Sequence, residues 1–183
     1  MAFSIDTFTA KLKQGGALAS LFEASVTGTQ GTIFNADMNN FKFLCKATTL
    51  PGDTIDVATV TYMGRGINIP ANRAAATWET TIYNDEGMEI RNNLESWMEQ
   101  LNSHKTNVRA AAMTQIQSYT GTLKVRTFGK SSASVIHKSY EFIDAWPSAV
   151  GDITVDWETN EIETYAVTWE YSYWKSAQSN VGF

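Results

Sequence analysis

From Ile162 to Trp174 the chain reads IETYAVTWEYSYW, with Tyr165, Val167, Trp169, Tyr171 and Tyr173 on every second position. Thr164, Ala166, Thr168, Glu170 and Ser172 fill the gaps. Successive side chains of a strand point to opposite faces. The run therefore predicts one long strand with an aromatic face and a small, polar face. Such a strand cannot bury its aromatic face alone. It needs strands beside it and a layer against it, which makes this a sheet protein before any other segment is read.

The rest of the chain supplies the partners. Ser4 to Lys13 carries Ile5, Phe8 and Leu12 at helical spacing, with Ser4 or Asp6 as cap and Gly15-Gly16 as stop; it reads as a short docking helix. Leu21 to Val26 is a first strand, and Gly28 to Asn40 a Gly-, Thr- and Asn-rich loop. Phe41 to Ala47 alternates, with Phe41, Phe43 and Cys45 on one face. After the turn signal Leu50-Pro51-Gly52, two β-type runs meet at Gly64, which supplies the positive φ of a tight hairpin. The faces of that hairpin look mixed, so it projects from the body, and Ile69-Pro70 closes it.

Thr77 to Tyr83 is a strand with Trp78, Thr80 and Ile82 on one side. Residues 85–102 form the one clear helix: Asn84 or Asp85 caps it, Ile90, Leu94, Trp97 and Leu101 make a stripe, and Arg91, Glu95 and Glu99 face away. Residues 107–119 are irregular or partly helical. Leu123 to Phe128 and Val135 to Ala145 are strands, Trp146-Pro147 is a break, and Ile153 to Trp157 is a short strand. Lys175 to Phe183 is a polar, frayed tail. The 183 residues thus make a single domain. It is mainly β (α+β), an antiparallel β-sandwich or partly open barrel with one flanking α-helix and a protruding hairpin arm over residues 48–73.

Residue chemistry does not argue for an enzyme. Cys45 sits beside core aromatics and reads as a buried thiol. His104 and His137 lack partners at ligand spacing. Gly129-Lys130-Ser131 has Lys124 where a phosphate loop needs its first glycine, and Gly64-x-Gly66 has Ile69 where a dinucleotide fingerprint needs its third. Asp152, Asp156, Glu158 and Glu161 lack the spacing of a calcium loop and read as a solvated turn. No cofactor is expected. The formal net charge of -5 disfavours a strong grip on phosphate backbones. One cysteine excludes an internal disulfide. No window approaches the ~20 apolar residues of a membrane span, and no secretory signal opens the chain, so a soluble product folded in the cytoplasm is expected.

An ordered set of short motifs carries a resemblance. Leu21-Phe22 opens the first strand. Phe43-Leu44-Cys45-Lys46-Ala47-Thr48 is followed by Leu50-Pro51, then Tyr62-Met63-Gly64-Arg65, Ile67-Asn68-Ile69 and Asn72-Arg73. Trp78, Asn84-Asp85-Glu86, Trp146-Pro147, Val150-Gly151, Asp156-Trp157, Asn160-Glu161-Ile162 and Tyr173-Trp174 come next. From about Gly15 to Trp174 this pattern resembles the tail tube protein of contractile-tailed bacteriophages, related to the tube protein of type VI secretion systems. The loop at Gly28 to Asn40 is longer than in that family, and His104 to Tyr119 does not align.

The resemblance implies a structural role rather than catalysis. It implies hexameric rings stacked into a hollow tube inside a contractile sheath, in the tail of a virion assembled in the host bacterial cytoplasm. The partners implied are further copies of the chain, sheath, baseplate and tail-terminator proteins, with DNA passing through and not held. On this reading the hairpin reaches neighbouring subunits, and Pro51, Met63, Arg65, Asn68 and Arg73 make subunit contacts. The polar face of the last strand, Thr164, Thr168, Glu170 and Ser172, becomes a candidate channel wall. The alternatives are a baseplate or tail-terminator component of the same fold, or the tube of a phage-like injection system carrying effectors. An unrelated binding sandwich with exposed tryptophans stands further off.

Overall fold

The structure is a computed structural model that describes residues 5–12, 16–28, 36–74, 76–130 and 136–177. Nine strands and four α-helical segments lie among them. The strands are β1 Phe22–Gly28, β2 Cys45–Thr48, β3 Thr54–Tyr62, β4 Arg65–Ala74, β5 Trp78–Tyr83, β6 Gly121–Phe128, β7 Ile136–Val150, β8 Thr164–Glu170 and β9 Tyr173–Ala177. The helices are α1 Ile5–Lys11, α2 Phe41–Leu44, α3 Glu89–Leu101 and α4 Ile116–Tyr119.

Seven strands form one antiparallel path, ordered β1-β6-β7-β8-β5-β2 with β9 also on β7, while β3 and β4 pair only with each other. The long strand β7 turns the path into two layers. Its first part pairs with β6 and β9, and its last part pairs with β8. Between the two parts lies Asp144 at φ 55°, a left-handed conformation that redirects the strand. The path ends unclosed at β1 and β2, so the body is a partly open barrel rather than a closed one.

The aromatic faces of both layers meet inside. Trp78, Ile82, Tyr165, Val167 and Trp169 come from β5 and β8, and Leu123, Val125, Tyr140 and Phe142 from β6 and β7. Trp78 stacks on Phe142 across the layers at 4.7 Å between ring centroids. The open side is plugged by α3, whose Ile90, Leu94 and Trp97 are buried, with Trp97 5.9 Å from Trp169.

Several sequence expectations change. Phe41 to Leu44 is helical, not extended: Phe41 is buried, Phe43 is 74% exposed, and Cys45 only begins β2. The run from Ile162 to Trp174 is two strands. The partner β7 bends at Asp144, so β8 and β9 part at Tyr171-Ser172, where Ser172 N–H donates to the Ile143 carbonyl. The inward phase flips there: Trp174 packs on Tyr140 while Tyr173 is exposed. Trp146-Pro147 does not break β7. A register shift between Pro147 and Ala149 absorbs the missing donor within the ladder.

Pro70 likewise lies inside β4, because both strands of a two-stranded ribbon are edges. Residues 153–157 form a loop, not a strand. The tail is ordered in β9 as far as Ala177, and 178–183 lie outside the described residues. So do 29–35 of the expected loop, 131–135 of the β6–β7 turn, Ser4 and Lys13 to Gly15. The helix α1 stands, but none of its residues is buried. A turn at Asp85 precedes α3, which starts at Glu89; Asp85 accepts from Glu89 N–H at 3.4 Å, and Asn84 instead bonds Glu163. Arg91 does not face away from the body: it bonds Glu95 and the Gly151 carbonyl and lies over the Tyr165 ring.

Candidate assembly surfaces

The hairpin β3–β4 has no core to rest on. Every residue in it is exposed except half-buried Ala58. Its tip, Met63-Gly64, holds both residues at positive φ (46° and 78°), the two-residue turn that matches strand twist. That turn fixes the register as Tyr62 to Arg65, Val60 to Ile67, Ala58 to Ile69 and Thr59 to Asn68. Directly opposed residues share a face. The outer half of the ribbon therefore carries Tyr62, Val60, Ala58, Ile67 and Ile69 on one face, and Thr61, Thr59, Gly66 and Asn68 on the other. The outer half is thus sorted apart from Arg65 at the tip, while the inner half stays mixed as expected, with Val57 and Pro70 on the side of Thr59 and a register shift between Ile55 and Val57. The sorting follows from a two-residue turn between runs of known phase, so the sequence held the signal.

The five hairpin residues singled out from the sequence do not form one patch. Met63 stands at the tip, 90% exposed. Arg65 lies on the apolar face opposite Tyr62. Asn68 is on the polar face, where its Oδ1 accepts from the Thr59 hydroxyl at 2.9 Å. Arg73 is at the base, paired with Asp53 at 2.7 Å, and Pro51 lies half-buried on the approach. The base is held to the body: the Trp78 indole N–H donates to the Thr49 carbonyl at 2.8 Å.

A second surface is the outer face of β8 and β5. Thr164, Thr168 and Glu170 are half-buried there and Ala166 is exposed, opposite the buried Tyr165, Val167 and Trp169. Glu79, Thr81 and Tyr83 of β5 lie beside them in register. The face is small-residued and polar. Ser172 does not belong to it, since it falls in the break before β9.

A third feature went unread in the sequence. The loop 151–163 lifts Trp157 fully into solvent, with Val155 76% and Ile162 70% exposed. Ile153, Val155 and Trp157 alternate as a strand would, but no neighbouring strand pairs with them.

Reactive chemistry is muted. Burial pushes the Cys45 thiol up to about 12, partly offset by a backbone hydrogen bond from Ala47. Among the described residues no three His, Cys, Asp or Glu side chains gather as metal ligands. No helix among them is long and apolar enough to cross a membrane.

Comparison with known proteins places this geometry. The phage tail tube protein family model matches residues 6–177. The tail tube protein gp19 of Enterobacteria phage T4 is 31% identical over 137 residues, 74% of this chain and 82% of that protein, and its counterpart in Enterobacteria phage T6 matches equally. The fold is shared with the sheath–tube complex of an extracellular contractile injection system (TM-score 0.63, 11% identity, 97% of this chain and 99% of that one). It is shared also with the anti-feeding prophage baseplate (TM-score 0.65, 9% identity, 90% and 97%). The chain belongs to the phage tail tube protein family, structural components of the virion's contractile tail.

Proposed function

We propose that the chain is the repeating subunit of the inner tube, forming hexameric rings that stack around a channel for genome ejection. One observation carries the reading: an exposed two-stranded ribbon whose outer half has an apolar face. Such a ribbon is marginal alone and needs a surface to cover it. A neighbouring subunit supplies that surface at every position of a ring or stack, so modest contacts repeat many times. Tyr62, Val60 and Ile67 make the apolar contact, with Met63 and Arg65 at its end. Asn68 bonds across the polar face, and Pro51 and Arg73 set the angle of the arm.

The outer face of β8, with Thr164, Thr168 and Glu170, lines the channel. Ser172 flanks that wall rather than forming part of it. A small, acidic wall lets a polyanion slide. Sheath, baseplate and terminator proteins bind the outside and the two ends.

A second reading keeps its place because the same fold, at a TM-score of 0.62, forms the tube-terminating cap of the anti-feeding prophage. Negative-stain microscopy of the purified chain separates the two. Long hollow tubes or six-fold rings are expected. A chain that stays monomeric even with a baseplate seed is not a tube subunit. Replacing Thr54–Ala74 by a short Gly-Ser link is expected to leave a folded monomer that builds no tube; tubes from that variant overturn the role of the arm.

A further inference from the structure

The loop after β7 exposes a tryptophan, and an apolar groove lies open at the other end of β7. The groove, about 380 Å³, is lined by Leu18, Phe22, Leu50, Phe128 and His137 among others. Leu18 and Leu50 are 51% and 48% exposed in it. Nothing in the described part of the chain fills it. The loop presents Trp157, fully exposed, from a frame fixed at each end. Gly151 N–H donates to the Ala166 carbonyl at 2.7 Å, so close that a Cβ on Gly151 would sit 3.0 Å from that oxygen. Asn84 holds Glu163 at the far end, through its backbone N–H at 2.9 Å and its side chain at 2.8 Å. Asp156 closes the tip by accepting from Glu158 N–H at 3.1 Å.

Between Gly151 and Thr164 the chain carries Asp152, Asp156, Glu158, Glu161 and Glu163 and no lysine or arginine. Next to the lining residues Thr127, Phe128 and His137 stand Arg126, which faces Glu23 at 3.6 Å, and Lys138, whose ammonium lies 4.9 Å from the centre of the Tyr140 ring. Loop and groove lie at opposite ends of the 15-residue strand β7, the groove beside His137 and the loop beyond Val150. A contact between opposite ends of identical molecules is head-to-tail, the kind that builds open stacks.

We infer that Trp157 of one copy inserts into the Leu18–Leu50–Phe128 groove of a second copy, making a head-to-tail contact between subunits. This rests on the reading of the chain as a tube subunit and names one contact by which subunits join. A central aromatic anchor in an apolar pocket is the arrangement in which one side chain dominates an interface.

The test uses the full chain. Trp157→Ala removes an exposed side chain, so its thermal melt should match wild type, while the protein concentration needed for assembly rises ~10-fold or more. In a Cys45→Ala background, the double variant Trp157→Cys with Leu50→Cys should give a ladder of covalent multimers on a non-reducing gel after copper-catalysed air oxidation, because each chain then offers one thiol to each neighbour. In that background Trp157→Cys alone should stop at dimers. Wild-type tubes together with unchanged assembly of Trp157→Ala overturn the contact and leave the tube reading intact. A ladder from Trp157→Cys with Met63→Cys, and none with Leu50→Cys, overturns it in favour of the hairpin tip. A wild-type chain that forms neither rings nor tubes overturns the tube reading, and this contact falls with it.

Discussion

Trp169 donates its indole N–H to the hydroxyl of Thr80 at 3.0 Å in the middle of the core. Both residues are buried, and the rings of Phe41, Trp78 and Trp97 surround Trp169. Thr80 lies one strand away, and its hydroxyl reaches the Val167 carbonyl at 3.5 Å. Thr80→Val keeps the side-chain shape but removes the acceptor, leaving a buried donor unpaired. The expected loss is about 1–3 kcal/mol. At this chain length that corresponds to a melting point lower by roughly 2–4 °C per kcal/mol. Urea unfolding followed by tryptophan fluorescence measures it, and Thr80→Ser should recover most of the loss.

The bend in β7 gives a second expectation. Asp144 sits at φ 55°, which glycine and asparagine tolerate and β-branched residues do not. Asp144→Gly should be near neutral, whereas Asp144→Val should destabilise by about 1–2 kcal/mol. Equal stability of the two variants would show that the bend does not depend on this residue.

Alkaline pH should weaken the fold through Cys45 and Tyr165. Burial raises the thiol from its ordinary 9.0 to about 12, and burial also raises the Tyr165 hydroxyl. A raised acid binds its proton more tightly in the folded chain than in the unfolded one. Above about pH 9 the unfolded state ionises first, so stability falls as pH rises. For Cys45 alone the loss near pH 10.5 is about 1–2 kcal/mol. A urea-unfolding series across pH measures it. Cys45→Ala should flatten the decline relative to its own value at pH 7; an unchanged slope would mean the thiol does not contribute.

The two faces of the hairpin should behave differently. Val60→Asp alters the apolar face, and Thr59→Asp alters the polar one. Neither position is buried, so both variants should stay within about 0.5 kcal/mol of wild type by thermal melting. Only the first should abolish assembly by microscopy and light scattering, since it places a charge where an apolar partner surface must close. Loss of assembly from Thr59→Asp alone would assign the contact to the polar face.

What was legible in the sequence was set by local period. The alternation of Trp78, Thr80 and Ile82, and the stripe Ile90, Leu94, Trp97, emerged as read because each element keeps one phase along its length. What was missed depends on events between elements. Nothing within Ile162 to Trp174 records that β7 bends at Asp144, so the flip from Tyr171 to Trp174 could not be seen. Phe41, Leu44 and Cys45 satisfy a helical spacing as readily as a strand, and short apolar runs do not decide between them. The exposure of Trp157 was hidden for the opposite reason: a period-2 pattern with no strand available to pair it.

The outer face of β8 can be placed by giving it the charge it lacks. Thr168 is half-buried on that face, and the Ser148 hydroxyl donates to the Thr168 backbone carbonyl at 3.2 Å, a bond that does not involve the threonine side chain. Thr168→Lys should therefore leave folding and tube growth intact while placing a cation on every subunit. If the face lines the channel, those cations form a ring at each level, and short duplex DNA should bind the tubes at low salt and release as salt rises. DNA held inside should resist nuclease. Binding without nuclease protection would put Thr168 on the outside of the tube, and with it Thr164 and Glu170, because β8 turns all three to one side.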